Sequence, residues 1–96
     1  MKKINKFQDK IKDLWQYGPE SNALLSNWTN EEAGEVSKVI KPSLKNGEPV
    51  DLKHLTEELG DVLVTLSNLA SANGLSMKDV MNKAHDKMVK RKEERS

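Results

Sequence analysis

Apolar residues recur at three- and four-residue steps along most of the chain, which is the spacing of one face of an α-helix. Residues 4–16 predict a first helix that ends at Gly18-Pro19. Residues 21–41 predict a second helix, and Pro42 is expected to stop it. No segment has the two-residue alternation of a strand, so the pattern predicts an all-α fold.

Two further helices follow a loop at residues 45–49. The third is predicted from Asp51, a good N-cap residue, to about residue 72, and it is apolar over more than half its circumference. It is therefore expected to be the central helix. The fourth begins after Asn73-Gly74, with Ser76 as its cap. Its apolar face is interpreted as core and consists of Met77, Val80, Met81, Ala84 and Met88.

A six-residue pattern occurs twice, once on each of the two middle helices. The copies are EEAGEV at residues 31–36 and EELGDV at residues 57–62. Each copy places two carboxylates three residues apart, on one face of its helix. If the helices pack antiparallel, we expect four carboxylates to converge: Glu32, Glu35, Glu58 and Asp61.

Four converging carboxylates repel one another unless a cation neutralises them, and a hard divalent ion such as Mg²⁺ is the usual solution. Gly34 and Gly60 also support the convergence of the two helices. A glycine within a helix costs about 1 kcal/mol of stability, so its presence needs a compensating reason. Close approach of the two helix backbones is the expected reason. The alternative is a solvated acidic face, which explains either motif alone better than both together.

The second helix has an alternative start. Trp28, Glu32, Glu35 and Val39 fall in one stripe of a long helix, which places two acids within an apolar face. Thr29 to Glu32 also fits a capping box that would begin a shorter helix. The longer helix is preferred.

Length and composition limit the function classes. The 96 residues are expected to form a single domain, 1–96, and only 35% of them are apolar, so a thin core completed by self-association is expected. The net charge of +1 gives no general reason to expect a nucleic-acid or membrane partner. Without cysteines, a secretory leader in residues 1–20 or a long apolar run, a cytoplasmic protein is expected.

The sequence lacks the residues that most catalytic mechanisms require. There is no cysteine, no phosphate-binding glycine loop, and no zinc-like spacing of His54 and His85, which are expected to lie at the surface or to have their hydrogen bonds satisfied. A carboxylate-bound Mg²⁺ site remains, and such sites suit phosphoryl chemistry. Lys83, Lys87 and Arg91 form a basic stripe that would either contact phosphates or remain solvated. For Trp15 and Trp28, a place in the core is favoured over stacking on a nucleobase.

The motif Glu31-Glu32-x-x-Glu35, followed after 22 residues by Glu58-x-x-Asp61, resembles the signature of MazG-type all-α nucleoside triphosphate pyrophosphohydrolases. The resemblance extends over residues 4–92. It implies a four-helix MazG-like bundle completed by dimerisation, with a dimer or tetramer as the assembly. It also implies Mg²⁺-dependent hydrolysis of nucleoside or deoxynucleoside triphosphates to a monophosphate and pyrophosphate, a house-cleaning activity, with Mn²⁺ as an alternative metal.

The resemblance also implies roles for individual residues. Glu32, Glu35, Glu58 and Asp61 would be the metal ligands, and Glu31 would bind a further metal or orient the attacking water, with Glu35 as a second catalytic carboxylate. The residues expected to bind the substrate are Trp15, Lys83, Lys87 and Arg91.

A different class of function remains open. The same helices would suit a non-catalytic interaction or regulatory module, in which the carboxylates form a polar interface or a solvated face. Stabilisation of the fold by millimolar Mg²⁺ or Mn²⁺ would distinguish the two, because only a clustered site gains stability by binding metal. Nucleic-acid binding by the last helix is the weakest option, because acids interrupt its basic tail.

Overall fold

Four α-helices and one short 3₁₀ turn make up the computed structural model, which describes residues 2–95. The elements are α1 (Lys2–Leu14), the turn Pro19–Ser21, α2 (Asn22–Asn46), α3 (Leu52–Ala72) and α4 (Met77–Arg95). The described residues contain no strand, which confirms the predicted all-α fold. No helix in this part of the chain has an apolar stretch long enough to cross a membrane.

Helix α2 is longer at its end than predicted. Pro42 lies inside the helix, which continues to Asn46, so the expected stop at Pro42 is wrong. The helix ends instead at Gly47, whose φ of 67° is the left-handed conformation that favours glycine. The Gly47 amide donates to the Ser43 carbonyl at 3.1 Å and closes the last turn. Pro42 removes one hydrogen-bond donor from the helix interior, but the turn beyond it still closes.

The preferred starts of α2 and α3 are confirmed. The Thr29 hydroxyl donates to the Leu25 carbonyl at 2.9 Å, one turn back within a continuous helix, so the shorter helix capped by Thr29 is wrong. At the start of α3, the Asp51 carboxylate accepts a hydrogen bond from the His54 amide at 3.1 Å. Asp51 is therefore the N-cap that the sequence predicts.

Helix α3 is central, as predicted, because it packs against both α2 and α1. Helices α2 and α3 run antiparallel, since reciprocal side-chain hydrogen bonds of 3.0 and 2.8 Å join Asn22, at the start of α2, to Asn73, just after α3. The small apolar core includes Leu25 of α2 and Ala70 of α3. The antiparallel arrangement brings the two acidic motifs to the same level.

Helix α4 packs mainly on α1 and leaves most of its apolar face uncovered. Met77, in its first turn, is buried, as expected of a core residue. The rest of the face predicted as core is open, since Val80, Met81 and Met88 are 41, 40 and 49% exposed. The thin core of one chain therefore does not cover this helix.

The junction between α3 and α4 is held by a side chain from α1. The Gln8 amide nitrogen donates to the Ser71 hydroxyl at 3.0 Å and to the Leu75 carbonyl at 2.8 Å. The Gln8 amide oxygen accepts from the Met77 backbone at 2.8 Å. Asn5 supports the same end of α4 by accepting from the Lys78 amide at 3.0 Å. Helix α1 therefore caps the start of α4 from outside.

Replacing Gln8 tests this junction. Gln8→Ala should lower the free energy of unfolding by about 2–3 kcal/mol, because it leaves a buried amide and a carbonyl without partners. Urea unfolding followed by circular dichroism measures the change. Gln16→Ala, at an exposed glutamine beyond the end of α1, is the matched control and should change stability little. Equal stability of the two variants would contradict the role given to Gln8.

A second stability test concerns a hydroxyl inside α3. Ser67 is fully buried, and its oxygen has no hydrogen-bond partner among residues 2–95. Because an unpaired buried hydroxyl is costly, Ser67→Ala should raise the free energy of unfolding by about 1 kcal/mol. Ser71→Ala on the same helix should lower it, since Ser71 accepts from Gln8. A destabilised Ser67→Ala variant would contradict this prediction.

Candidate functional site

Three carboxylates from the two acidic motifs meet between α2 and α3. One oxygen each of Glu32, Glu58 and Asp61 lies within 4.8 Å of the others, and we call these residues the acidic cluster. Glu32 and Glu58 are partly buried and Asp61 is exposed, so the cluster is open to solvent on one side. The spacing follows from the antiparallel packing of the helices, which places the one motif opposite the other.

The electrostatics of the cluster are unfavourable for an isolated chain. Burial raises the pKa of the Glu32 carboxyl, and the charges of Asp61, Glu58, Glu35 and Glu31 raise it further. Crowded anionic oxygens of this kind are the donors that hard divalent cations prefer. The acidic cluster could therefore hold a metal ion, which would supply the missing positive charge.

Glu35 and Glu31 lie beside the cluster but outside it. The Glu35 carboxylate accepts from the Lys38 ammonium at 3.1 Å, in an exposed pair on the surface of α2. Glu31 is exposed. Of the four carboxylates expected to converge, the structure thus brings three together and directs Glu35 to Lys38 instead.

The two glycines do not mark a close approach of the helices. A Cβ atom built on Gly34 or Gly60 would meet no atom within 4 Å outside its own helix backbone, so the expected reason for these glycines is wrong. The helices approach each other through other residues. Within residues 2–95, nothing explains why these two positions are glycine.

His54 has a role that the sequence interpretation missed. Its Nε2 lies 3.2 Å from the Glu58 carboxylate, one turn further along α3. The i,i+4 spacing of the two residues was the available signal. His54 therefore helps to orient one member of the acidic cluster from the solvent side.

An aromatic pocket of about 420 Å³ lies at one side of the acidic cluster. Its walls include three aromatic side chains, Trp15, Tyr17 and Trp28, and the rings of Tyr17 and Trp28 meet edge to face with centroids 6.0 Å apart. Trp15 is 53% exposed, so its expected place in the core is wrong. The remaining lining residues are Glu31, Glu32, Val64, Thr65 and Asn68.

A second pocket of about 350 Å³ connects the aromatic pocket to the acidic cluster. The two share four residues, Trp15, Glu32, Val64 and Thr65, and the second adds Asp61. Flat apolar rings and clustered carboxylates therefore form one continuous surface. Such a surface can bind a flat ring at one end and a metal-bound anion at the other.

Four pocket residues were not identified from the sequence: Tyr17, Val64, Thr65 and Asn68. Tyr17 belongs to the short segment after α1, for which periodicity gives no signal. Thr65 and Asn68 did leave a signal, because polar residues recur at 58, 61, 65 and 68, the spacing of one helical stripe. That stripe continues the acidic motif of α3 into the aromatic pocket.

The predicted basic residues lie elsewhere in this chain. Lys83, Lys87 and Arg91 are exposed on α4, and Lys83 lines a separate surface pocket with Asp79. Neither the aromatic pocket nor the pocket beside it contains a lysine or arginine from residues 2–95. One chain therefore presents the acidic and aromatic parts of the site without the basic part.

Known proteins resemble this chain over most of its length. The family described as the MazG nucleotide pyrophosphohydrolase domain matches residues 20–96. The uncharacterized protein YvdC of Bacillus subtilis (strain 168) is 32% identical to this chain, and the matched region covers 79% of this chain and 77% of that protein. No solved structure matches the chain.

Proposed function

Because the chain belongs to the MazG nucleotide pyrophosphohydrolase family, we propose that it hydrolyses nucleoside and deoxynucleoside triphosphates between the α and β phosphates. The products are a nucleoside monophosphate and pyrophosphate. The observation that carries the proposal is the acidic cluster at one end of a pocket walled by aromatic rings. A house-cleaning role, removing unwanted nucleotides, fits this reaction.

The proposed cofactor is Mg²⁺, with Mn²⁺ as an alternative. The acidic cluster supplies three ligands, and Glu35 is the proposed fourth because it lies one turn from Glu32 on α2. Its ion pair with Lys38 is exposed, and such pairs contribute little energy, so it does not hold Glu35 firmly. Bound there, the metal would neutralise charge on the phosphates and polarise the phosphorus–oxygen bond.

Two carboxylates are proposed to act on the attacking water. Glu31 lines the aromatic pocket next to Glu32 and is exposed enough to reach solvent. It would accept a hydrogen bond from the water and so orient it. Glu35, when it is not paired with Lys38, is the second candidate for accepting a proton from that water.

The substrate is proposed to lie with its base in the aromatic pocket, against Trp15 and its neighbours. Base–aromatic stacking contributes about 1–3 kcal/mol per base. The phosphates need positive charge, and among residues 2–95 no lysine or arginine lines either pocket. We therefore propose that Lys83, Lys87 and Arg91 contact the phosphates within a dimer or tetramer.

Self-association is supported by uncovered apolar residues on two helices. Leu59, Leu63 and Leu66 of α3 are 48, 43 and 39% exposed, and α4 leaves Val80 and Met81 open as described above. Burying such side chains against a second copy would stabilise the assembly by about 25 cal/mol per Å² of apolar surface. Analytical ultracentrifugation of the full chain measures the assembly directly.

The reaction is tested by the products it gives. The full chain is incubated with a panel of nucleoside and deoxynucleoside triphosphates and Mg²⁺, and the products are separated by ion-exchange chromatography. We expect equal amounts of monophosphate and pyrophosphate, no reaction with EDTA, and recovery with Mn²⁺. Release of orthophosphate and a diphosphate, or no turnover across the whole panel, would refute the proposal.

A further inference from the structure

We infer that Asn68 and Thr65 read the base of the nucleotide and select one with an amino group at C6 of a purine or C4 of a pyrimidine, as adenine and cytosine have. This inference rests on the proposed function, because it specifies which nucleotides enter the aromatic pocket. It is carried by a buried amide and a hydroxyl on α3 that both line this pocket.

The first observation is the state of the Asn68 side chain. Asn68 is only 6% exposed and lines the aromatic pocket, yet no other residue of 2–95 forms a hydrogen bond with its side-chain amide. Gln8, the other buried amide, has partners for both its nitrogen and its oxygen. The Asn68 amide therefore faces the pocket without a protein partner, and its hydrogen bonds go to whatever fills the pocket.

The second observation is the direction of the Thr65 hydroxyl. Thr65 Oγ1 donates its proton to the Val62 carbonyl at 2.8 Å. With its one proton used, this oxygen can only accept further hydrogen bonds. Thr65 precedes Asn68 by three residues, so the two lie on one face of α3. The wall of the pocket therefore offers an acceptor beside an amide that both donates and accepts.

This arrangement matches an amino-bearing base. Adenine and cytosine each present an amino donor next to a ring-nitrogen acceptor, and an asparagine amide pairs with such an edge through two hydrogen bonds. The amino group has a second proton, which the Thr65 oxygen can accept. A base with a carbonyl in that place would set two acceptors against each other. The aromatic rings can stack on any base, so discrimination between bases depends on Asn68 and Thr65.

The position of Asn68 fits a base rather than a phosphate. Asn68 follows Asp61 of the acidic cluster by seven residues, which is a rise of about 10 Å along α3. A nucleotide spans a similar distance from its base, through the sugar, to its phosphates. With the phosphates at the acidic cluster, the base edge therefore lies near Asn68.

Matched substrate pairs test the inference. ATP and inosine triphosphate, like CTP and UTP, differ by exchange of the amino group for a carbonyl. We expect kcat/KM to favour the amino member at least about tenfold in one pair or both, since two well-placed hydrogen bonds discriminate at this level. Thr65→Val keeps the shape of the side chain and removes the acceptor that opposes a carbonyl, so it should bring the ratio close to one. Asn68→Leu no longer holds the base edge against Thr65, so it should lower both the ratio and kcat/KM for each substrate.

Thr56→Val is the matched control, because the Thr56 hydroxyl on α3 donates to the Leu52 carbonyl at 2.7 Å but lies outside the pocket. The ratio of kcat/KM between the amino and carbonyl substrates should be the same for Thr56→Val as for the unaltered chain. Hydrolysis with equal efficiency within each pair, or with a preference for the carbonyl member, would overturn the inference and leave the proposed function intact.

A binding experiment separates the two ideas when no hydrolysis occurs. Adenosine, cytidine, inosine and uridine are titrated into the labelled chain without metal, and the Asn68 side-chain amide is followed by NMR. Shifts of this amide with adenosine or cytidine, absent with inosine and uridine, would support the inference even if the proposed reaction fails. Indifference of the amide to all four nucleosides would overturn it.

Discussion

Asp61→Asn should reduce pyrophosphate release from a nucleoside triphosphate by about 10²-fold or more. Asp61 supplies one of the three oxygens of the acidic cluster, and replacing it by an amide removes a charge from the proposed metal site. Loss of residues that only support metal ligands costs about 10–100-fold in metal affinity or activity, and a direct ligand should cost at least as much. The measurement is the initial rate of pyrophosphate release with saturating Mg²⁺.

The control for this variant is Asp13→Asn, which makes the same chemical change at an exposed position of α1. It should retain the full rate. Glu35→Gln should also lose most of the activity if Glu35 completes the site, whereas it should behave like the control if its role ends with Lys38. Circular dichroism should give the same helicity for all three variants. Undiminished release by Asp61→Asn would rule out the proposed site.

The acidic cluster was predictable because helix geometry is local. The three-residue spacing within each motif fixes which carboxylates share a face, and the short loop before Asp51 makes antiparallel packing of the two helices the natural arrangement. Those two facts bring Glu32 to Glu58 and Asp61 without further information. The rotamer of Glu35 depends on the competing attraction of Lys38, which the motif alone does not reveal.

Other parts of the fold depend on tertiary contacts that the pattern does not encode. The sequence predicts a helix stop at Pro42, but the helix ends where a residue can leave the helical conformation, and Gly47 does so by adopting a positive φ. The apolar face of α4 predicted a buried helix, yet residues 2–95 of a single chain leave Met88 49% exposed. A hydrophobic stripe predicts that the helix face is buried, but it does not show whether the covering residues belong to the same chain or to another copy.

The aromatic pocket illustrates a third limit. Its residues come from the segment after α1, from α2 and from α3, so only the packing of all three brings Trp15, Trp28 and Asn68 together. The place of Asn68 in the pocket could not be predicted, because an isolated polar residue in an apolar helix has many explanations. Its significance depends on being buried without a partner, and burial is a property of the fold.

Glu32→Gln should have opposite effects on stability without and with metal. In EDTA the variant should melt at a higher temperature than the unaltered chain, because the raised pKa of the Glu32 carboxyl means that its charge disfavours the folded state. Burial and the neighbouring carboxylates cause this penalty, and an uncharged amide avoids it. Differential scanning calorimetry in EDTA at neutral pH measures the difference.

With Mg²⁺ the order should reverse. At a hundred times its Kd, a bound metal adds about 2.7 kcal/mol to the stability of the unaltered chain, and a tenfold weaker site gains only about 1.4 kcal/mol at the same concentration. For a domain of this size, each kcal/mol shifts Tm by about 4–8 °C. Glu57→Gln, at the exposed acid next to Glu58, is the control and should keep the full response to Mg²⁺.

The pH dependence of stability identifies why Glu32→Gln is more stable in EDTA. A carboxyl whose pKa is raised by folding binds its proton more tightly in the folded state, so its ionisation destabilises the fold as the pH rises from the ordinary glutamate pKa through the raised one. The advantage of Glu32→Gln in EDTA should therefore be greatest at neutral pH and vanish in acid, below the ordinary glutamate pKa. An advantage that is independent of pH would mean that better packing, rather than the removal of a charge, stabilises the variant. A variant less stable than the unaltered chain in EDTA would mean that another group already compensates the charge of Glu32, and the acidic cluster would then have no electrostatic need for a metal.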